Sequence, residues 1–283
     1  MFENRAVGLA LAMPAAIFAA VIFLLPVGIL LSEAFHTDTG WSAWAYVEFF
    51  QSGRNQTVFL RTLKLAAMVA LVSAVIGYAA AFAIVGLPAS SRGRIFGLVT
   101  LPLMISPVAR TYAWLVILGR TGFVNRILVD LGIAEAPLRI LFSETAVFIG
   151  LLQLFLPLMI ISLVSAMENM PRDAVSAARI LGANWFQVFR LVILPLTREG
   201  LVIGGTLVFT GSMTAYITPA ILGGSKVLML ETLLYQRVSV ANDFVSASVI
   251  AMILIVMAFS ANLLLKRIAT ARKTPRNMAG AAR

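Results

Sequence analysis

Six long apolar runs organise the chain, near residues 7–33, 64–87, 95–119, 145–166, 200–222 and 244–265, with short polar stretches between them. A helix needs roughly 20 residues to cross the ~30 Å hydrocarbon core of a bilayer. Each run reaches that length, so the pattern predicts six membrane-spanning helices. The first is too long and too uniformly apolar for a cleaved signal peptide, and it carries Pro14 and Pro26. The third holds Pro102, Pro107 and Arg110, so a broken or kinked helix is expected there. One segment departs from the alternation. Between the fourth and fifth runs the chain reads DAVSAARILGANWFQVFRLVILP from Asp173 to Pro195. A protein that only crossed a membrane would use a short turn in that place. The pattern predicts a short helix over 173–181, starting after Pro171 with Asp173 near its N-terminus. Gly182 allows a sharp change of direction. A second short helix follows through Trp185, Val188, Phe189 and Val192 at spacings of three and four. Pro195 is expected to break it before the fifth span.

Composition sharpens this picture. Hydrophobic residues make up 60% of the 283, and only 12% are charged, against about 25% in a soluble domain. Six spans place both termini on one side. With the termini inside, thirteen of the 22 Lys and Arg lie on the cytoplasmic side and eight outside, Arg110 being the remaining one; eight of the twelve acidic residues lie outside. The positive-inside rule therefore favours cytoplasmic termini and a cytoplasmic 167–199 segment. The net charge of +10 is then a topology signal, with no nucleic acid required, and the basic tail after Lys266 is a stop-transfer anchor near anionic lipid. The longest outer loop, 34–62, carries Trp41, Trp44, Tyr46, Phe49 and Phe50, residues suited to the membrane interface.

Several chemistries are missing. Cysteine is absent, the single His36 sits in a polar loop, and no phosphate-binding loop or H-E-x-x-H occurs. No Asp or Glu lies deep within a span, where a proton- or sodium-coupled carrier buries its relay. Transport by this chain would draw its energy from another chain. Polar candidates do exist. Thr206, Thr210, Thr214 and Thr218 recur every four residues in the fifth span, with Ser212 and Tyr216 beside them. On a 3.6-residue helix this is one slanted stripe. It serves either interhelical or back-bonding hydrogen bonds, or as the wall of a wet pathway. Tyr216, near Pro219, could offer a ring face to a cation. Arg110 either snorkels to the outer interface or pairs with a carboxylate or backbone carbonyls to hold the kinked third span. Glu144, Glu231 and Asp243, at the outer ends of spans, are ordinary interface residues or attract a cationic solute. The Asp173–Pro195 segment is either an interfacial helix pair on the lipid surface or a docking handle for another protein.

A resemblance decides between the last two. Ser176-Ala177-Ala178-Arg179-x-Leu181-Gly182-Ala183, followed by Phe189, Ile193, Leu194 and Pro195, resembles the EAA loop of permease subunits in binding-protein-dependent ABC importers. It implies a coupling helix, with Asp173, Ser176 to Arg179, Leu181 to Ala183, Phe186, Phe189 and Pro195 engaging the ATPase. The loop's first position is usually Glu, and here it is Ser176. Asp173, three residues earlier on the same helical face, is expected to supply the carboxylate. Arg110-Thr111-Tyr112-Ala113-Trp114, Leu118-Gly119-Arg120-x-Gly122-x-x-Asn125, Phe142-x-Glu144-Thr145-Ala146 and Gly223-Gly224 are similar to the spermidine/putrescine type of permease. Tyr112, Trp114, Arg110 and Glu144 thereby join Thr206, Thr210, Thr214, Tyr216 and Thr218 as pathway candidates.

The resemblance implies an all-α membrane protein of six transmembrane helices with both termini cytoplasmic, in the type I ABC importer permease architecture. Residues 1–57 would form the first span and outer loop, 58–265 the permease domain with its coupling loop at 168–198, and 266–283 the basic tail. Expected partners are an ATPase dimer, a second permease, an extracytoplasmic binding protein and the bilayer. ATP and Mg would reside on the ATPase, and this chain would bind no cofactor and no metal and catalyse no reaction. Another small organic solute, such as an opine or amino-acid derivative, is the alternative cargo, and a partner-free secondary carrier or channel is the rival mechanism.

Overall fold

A computed structural model describes residues 5–37 and 40–270. The chain is helical: α1 (Arg5–Glu33), α2 (Trp44–Gln51), α3 (Gly53–Val85), α4 (Ala89–Met104), α5 (Pro107–Ile117), α6 (Phe123–Asp130), α7 (Glu144–Glu168), α8 (Arg172–Ile180), α9 (Trp185–Val188), α10 (Leu194–Met213), α11 (Leu230–Ser239) and α12 (Phe244–Thr270). A two-residue hairpin, β1 (His36–Thr37) against β2 (Gly40–Trp41), precedes α2. The His36 side chain and the tail beyond residue 270 lie outside what is described.

Among the described residues five helices are long and apolar enough to cross a membrane, six if α4 and α5, bent by 94°, are counted as one broken span. The break falls at Ile105 and Ser106, immediately before Pro107. Proline cannot continue the α4 hydrogen-bond ladder and pushes its predecessor into extended backbone. Arg110 bridges the bend: its Nη1 donates to the Pro102 carbonyl at 2.7 Å. Of the two roles open to Arg110, this is the carbonyl-paired one that holds the bend.

Two expectations for the fifth span are corrected. Pro195 does not break the helix. The turn before it widens into a π segment, Phe189–Ile193, in which the Leu194 N–H reaches back to the Phe189 carbonyl. The wide turn accommodates the proline, and helix runs from Trp185 to Met213. The other end comes early. α10 stops at Met213, Thr214 caps it, and a second π segment, Pro219–Gly223, follows after an irregular stretch. The four threonines therefore do not share one helix.

The chain divides into two compact units, one comprising residues up to Thr57 together with Leu233–Ile255, the other Val58–Thr232 with Val256 onward. In the first, α1 is exposed nearly all round from residue 12 to 30. In the second, α7 is the central element, with Val147, Leu151, Met159 and Leu163 fully buried. It packs along α10 through small residues. A Cβ on Gly200 would sit 2.5 Å from the Ala166 Cβ and 2.7 Å from the Ser162 carbonyl, one on Gly204 would lie 2.8 Å from the Met159 sulfur, and one on Gly211 would overlap the Phe155 ring. Ser162 Oγ also donates to the Gly200 carbonyl at 2.7 Å.

Candidate functional site

The handle between α7 and α10 is built from two local rules. α8 ends in a Schellman motif: Ala183 N donates to the Ala178 carbonyl at 3.1 Å and Gly182 N to the Arg179 carbonyl at 2.9 Å. The motif needs a left-handed residue, and Gly182 has φ +82°. α9 then opens with a capping box, in which the Asn184 side chain accepts from Gln187 N at 2.9 Å and the Gln187 side chain accepts from Asn184 N at 2.8 Å. Asn184 and Gln187 were missed as site residues, although the Asn-x-x-Gln spacing is a readable helix-start signal.

Between these caps the tip is apolar and uncovered. Ile180 and Leu181 are each 86% exposed and Phe186 66%. Asp173, Ser176, Ala177 and Arg179 are exposed as well, whereas Ala178 and Ala183 are partly buried against the core. The Arg179 guanidinium lies over the Trp185 ring, 5.8 Å from its centroid. On the inner side an aromatic cluster ties the handle to α3. Phe189 meets Tyr78 edge-on at 5.4 Å, and Phe82 meets Trp185 at 5.6 Å and Phe189 at 6.1 Å. Tyr78 shares a 3.0 Å hydrogen bond with Thr197 of α10. Packed rings and this hydrogen bond thus join the handle to α3 and α10.

A second cluster gathers the other sequence signatures. Thr111 of α5 and Thr218 are hydrogen-bonded at 3.3 Å, both buried. Gly150 of α7 lies so close that a Cβ there would approach Thr218 and Leu222 to 2.6 Å. Phe142 N donates to the Leu222 carbonyl at 2.9 Å, and the Phe142 ring covers Gly224. Trp114 Nε1 donates to the Gln153 side chain at 3.3 Å. Tyr112, neighbour to buried Thr111, is exposed on the other side of α5. Part of the signature is scaffolding. Asn125, fully buried, bridges the Gly119 carbonyl and both backbone groups of Leu138, at 2.8 to 3.1 Å. Gly122 leaves no room for a Cβ beside the carbonyls of Val116 and Ile117.

The acidic candidates separate sharply. Glu144 is saturated: Arg61 Nε and Lys64 Nζ each bind one of its oxygens at 2.9 Å. Asp243 pairs with Arg237 at 3.2 Å and accepts from Ser246 N at 3.0 Å. Burial pushes the Asp243 carboxyl up, but the Ser246 and Arg237 contacts outweigh it and leave it below its ordinary value. Glu231, in the first turn of α11, is half-buried, and among the described residues it has no hydrogen bond or ion pair. Burial holds its carboxyl above the ordinary value. The folded state therefore keeps a proton that the unfolded state has lost, and stability falls as pH rises from the ordinary value of 4.5 toward the raised one. Glu231→Gln is expected to flatten that decline and to be the more stable variant at neutral pH, read by thermal unfolding in detergent across the pH range. An unchanged profile would show that the carboxyl is fully hydrated.

Thr206, Thr210 and Thr214 do share a surface. They line one side of a groove of about 490 Å³ between α7, α10 and α12, with Phe155, Phe259 and Asn262 across from them. Thr218 stands apart, buried against Thr111. Thr214 donates back to the Thr210 carbonyl at 3.0 Å. Among the described residues three or more acidic or histidine groups nowhere gather as a metal site would require.

Residues 137–273 match the model of the binding-protein-dependent transport system inner membrane component family. The spermidine/putrescine transport system permease protein PotB of Haemophilus influenzae is 35% identical over 269 residues, 89% of this chain and 94% of that protein. PotB of Escherichia coli K12 is 34% identical over 173 residues, 61% of this chain and 63% of that one. Among solved structures, a bacterial ABC transporter importing the acidic polysaccharide alginate superposes with a TM-score of 0.76 at 17% identity, over 95% of this chain and 97% of its own.

Proposed function

Because the chain belongs to the family of binding-protein-dependent transport system inner membrane components, we propose that it is the permease subunit of an ATP-driven importer of a polyamine such as spermidine or putrescine. It is a multi-pass inner-membrane protein. Its termini and the α8–α9 handle face the cytoplasm. A second permease completes the pathway, an extracytoplasmic binding protein delivers the cargo, and two ATPase subunits hold ATP and Mg. The chain itself performs no bond chemistry.

One observation carries the mechanism: an apolar tip, Ile180 and Leu181, stands exposed between back-to-back helix caps. An exposed apolar patch on a preorganised support is what a docking site requires. An interfacial helix pair needs no such mount. When ATP closes the ATPase dimer, the tip moves with it. Trp185 and Phe189 pass that motion to Phe82 and Tyr78, and Thr197 links it to α10. The spans then exchange outward and inward access, and hydrolysis resets them. Asp173, exposed in the first turn of α8, supplies the carboxylate that Ser176 lacks.

The test is ATPase activity of the reconstituted four-part complex, titrated with spermidine and putrescine in the presence of the binding protein. Stimulation by either amine is the expected result, and Asp173→Asn is expected to weaken it several-fold. ATPase activity indifferent to both amines would remove the polyamine assignment. An Asp173→Asn complex with full stimulation would remove the role given to that carboxylate.

A further inference from the structure

The groove beside Thr206 does not end at Thr214. A second groove of about 520 Å³ lies next to it on the α7–α10 face, Leu158 and Leu207 lining both, and the second carries Ser162, Ser165, Asn169 and Glu199. The combined trench follows α10 from Glu199 to Thr214. At 1.5 Å per residue that is roughly 22 Å, most of a hydrocarbon core.

Beside Ser165 and Glu199 in the second groove, three polar groups around the first groove have no protein partner among the described residues. Among the described residues neither the Thr206 nor the Thr210 hydroxyl is hydrogen-bonded, and the Asn262 amide is not either. Thr214 and Ser162, by contrast, are internally bonded. Unpaired hydroxyl and amide groups on spanning helices are costly against lipid. Something polar must therefore cover this face. A helix of another subunit would need small residues for close approach, but Gly200, Gly204 and Gly211 of α10 are already consumed by α7. Of the α10 glycines only Gly205 remains open, a single small residue where the close-approach pattern needs two, beside a row of hydroxyls.

Resting on the polyamine reading, we propose that the trench is the passage half-site for a linear di- or tri-amine, with Thr206, Thr210 and Asn262 accepting from its ammonium groups and Phe155 and Phe259 flanking its methylenes. The spacing fits. Side chains four residues apart on one helix are about 6 Å apart along its axis. Two amines separated by four extended methylenes lie roughly 6 Å apart, given bonds of about 1.5 Å. Aromatic faces add attraction for a cation. Thr206, Thr210 and Asn262 are neutral acceptors, so each holds the amine weakly enough to release it toward Glu199 at the far end, as passage requires.

The test is uptake by proteoliposomes containing the full complex, with 1,3-diaminopropane, putrescine and cadaverine as cargoes. The wild-type complex is expected to favour the four-methylene diamine. The double variant Thr206→Val, Thr210→Val keeps shape and removes the hydroxyls. Its uptake of putrescine should fall about tenfold or more, with the preference for chain length lost, and Thr206→Ser, Thr210→Ser should restore both. Assembly is read separately, by co-purification of the second permease and the ATPase. A valine variant that assembles and transports with wild-type rate and selectivity overturns the half-site. A valine variant that loses the second permease also overturns it, and shows the trench to be a subunit seam. A wild-type complex that carries none of the three amines brings down the polyamine reading itself, a result distinguishable because it needs no variant.

Discussion

Gly182→Val is expected to abolish most of the binding-protein-stimulated ATP hydrolysis of the assembled importer while leaving the spans folded. The reason is backbone conformation and not space: a Cβ at Gly182 would meet nothing within 4 Å, yet φ is +82°. A residue with a side chain pays about 1–2 kcal/mol in the left-handed region, and a β-branched one more. Since each 1.4 kcal/mol is a factor of ten, the population of handles with α8 and α9 correctly set falls by roughly tenfold or more. The two Schellman bonds and the position of Leu181 depend on that one residue. Because residues 181 and 182 are exposed, the cost does not spread into the core. Gly182→Asn is the informative companion, since Asn tolerates the left-handed region. Stimulation should be largely kept in Asn, reduced in Ala and nearly absent in Val. Equal, wild-type stimulation in all three would show that the handle's bend plays no part in coupling.

How much of this was legible in the sequence differs by element. The spans were readable because bilayer crossing demands length and apolarity, which are local properties. The bend in the third was readable because Pro102 and Pro107 act on their own neighbours. The Gly182 turn was readable for the same reason. The early end of α10 was not. Thr214, Ala215 and Tyr216 contain no breaker, and the helix stops shortly before the point where the buried Thr218, which caps the following π segment, and Leu222 pack against α5 and α7. Pro195 misled in the opposite direction, since a π turn five residues long absorbed it. The neutralisation of Glu144 depends on Arg61 and Lys64, 83 and 80 residues away, and no periodicity reveals such a pairing. The same limit hid the isolation of Glu231. Family signatures also proved heterogeneous. Gly122 and Asn125 build a turn, whereas from the neighbouring signature Thr111 is hydrogen-bonded to Thr218 and Trp114 to Gln153 of α7.

The largest effect on folding is expected from Gly200. The α7–α10 pair must move as one body if a push on the handle is to reach the membrane, and this glycine sets how closely the two helices approach. An added Cβ would lie 2.7 Å from the backbone carbonyl of Ser162 and 2.5 Å from the Cβ of Ala166. Neither atom is the end of a flexible chain, so relief requires one helix to shift, and the 2.7 Å bond from Ser162 Oγ to the Gly200 carbonyl is strained with it. Overpacking of this kind costs about 1–3 kcal/mol, outweighing the gain of up to about 1 kcal/mol that alanine brings to a helix interior. Gly200→Ala should therefore lower the thermal unfolding temperature in detergent by several degrees, and Gly200→Leu should leave little folded protein. Gly205 separates packing from propensity. It lies five residues on in the same helix, and a Cβ there meets nothing within 4 Å. Gly205→Ala should thus hold or raise the unfolding temperature. If Gly200→Ala behaved like Gly205→Ala, the α7–α10 contact would be loose enough to slip, and the handle's motion could not be transmitted through it as a rigid lever.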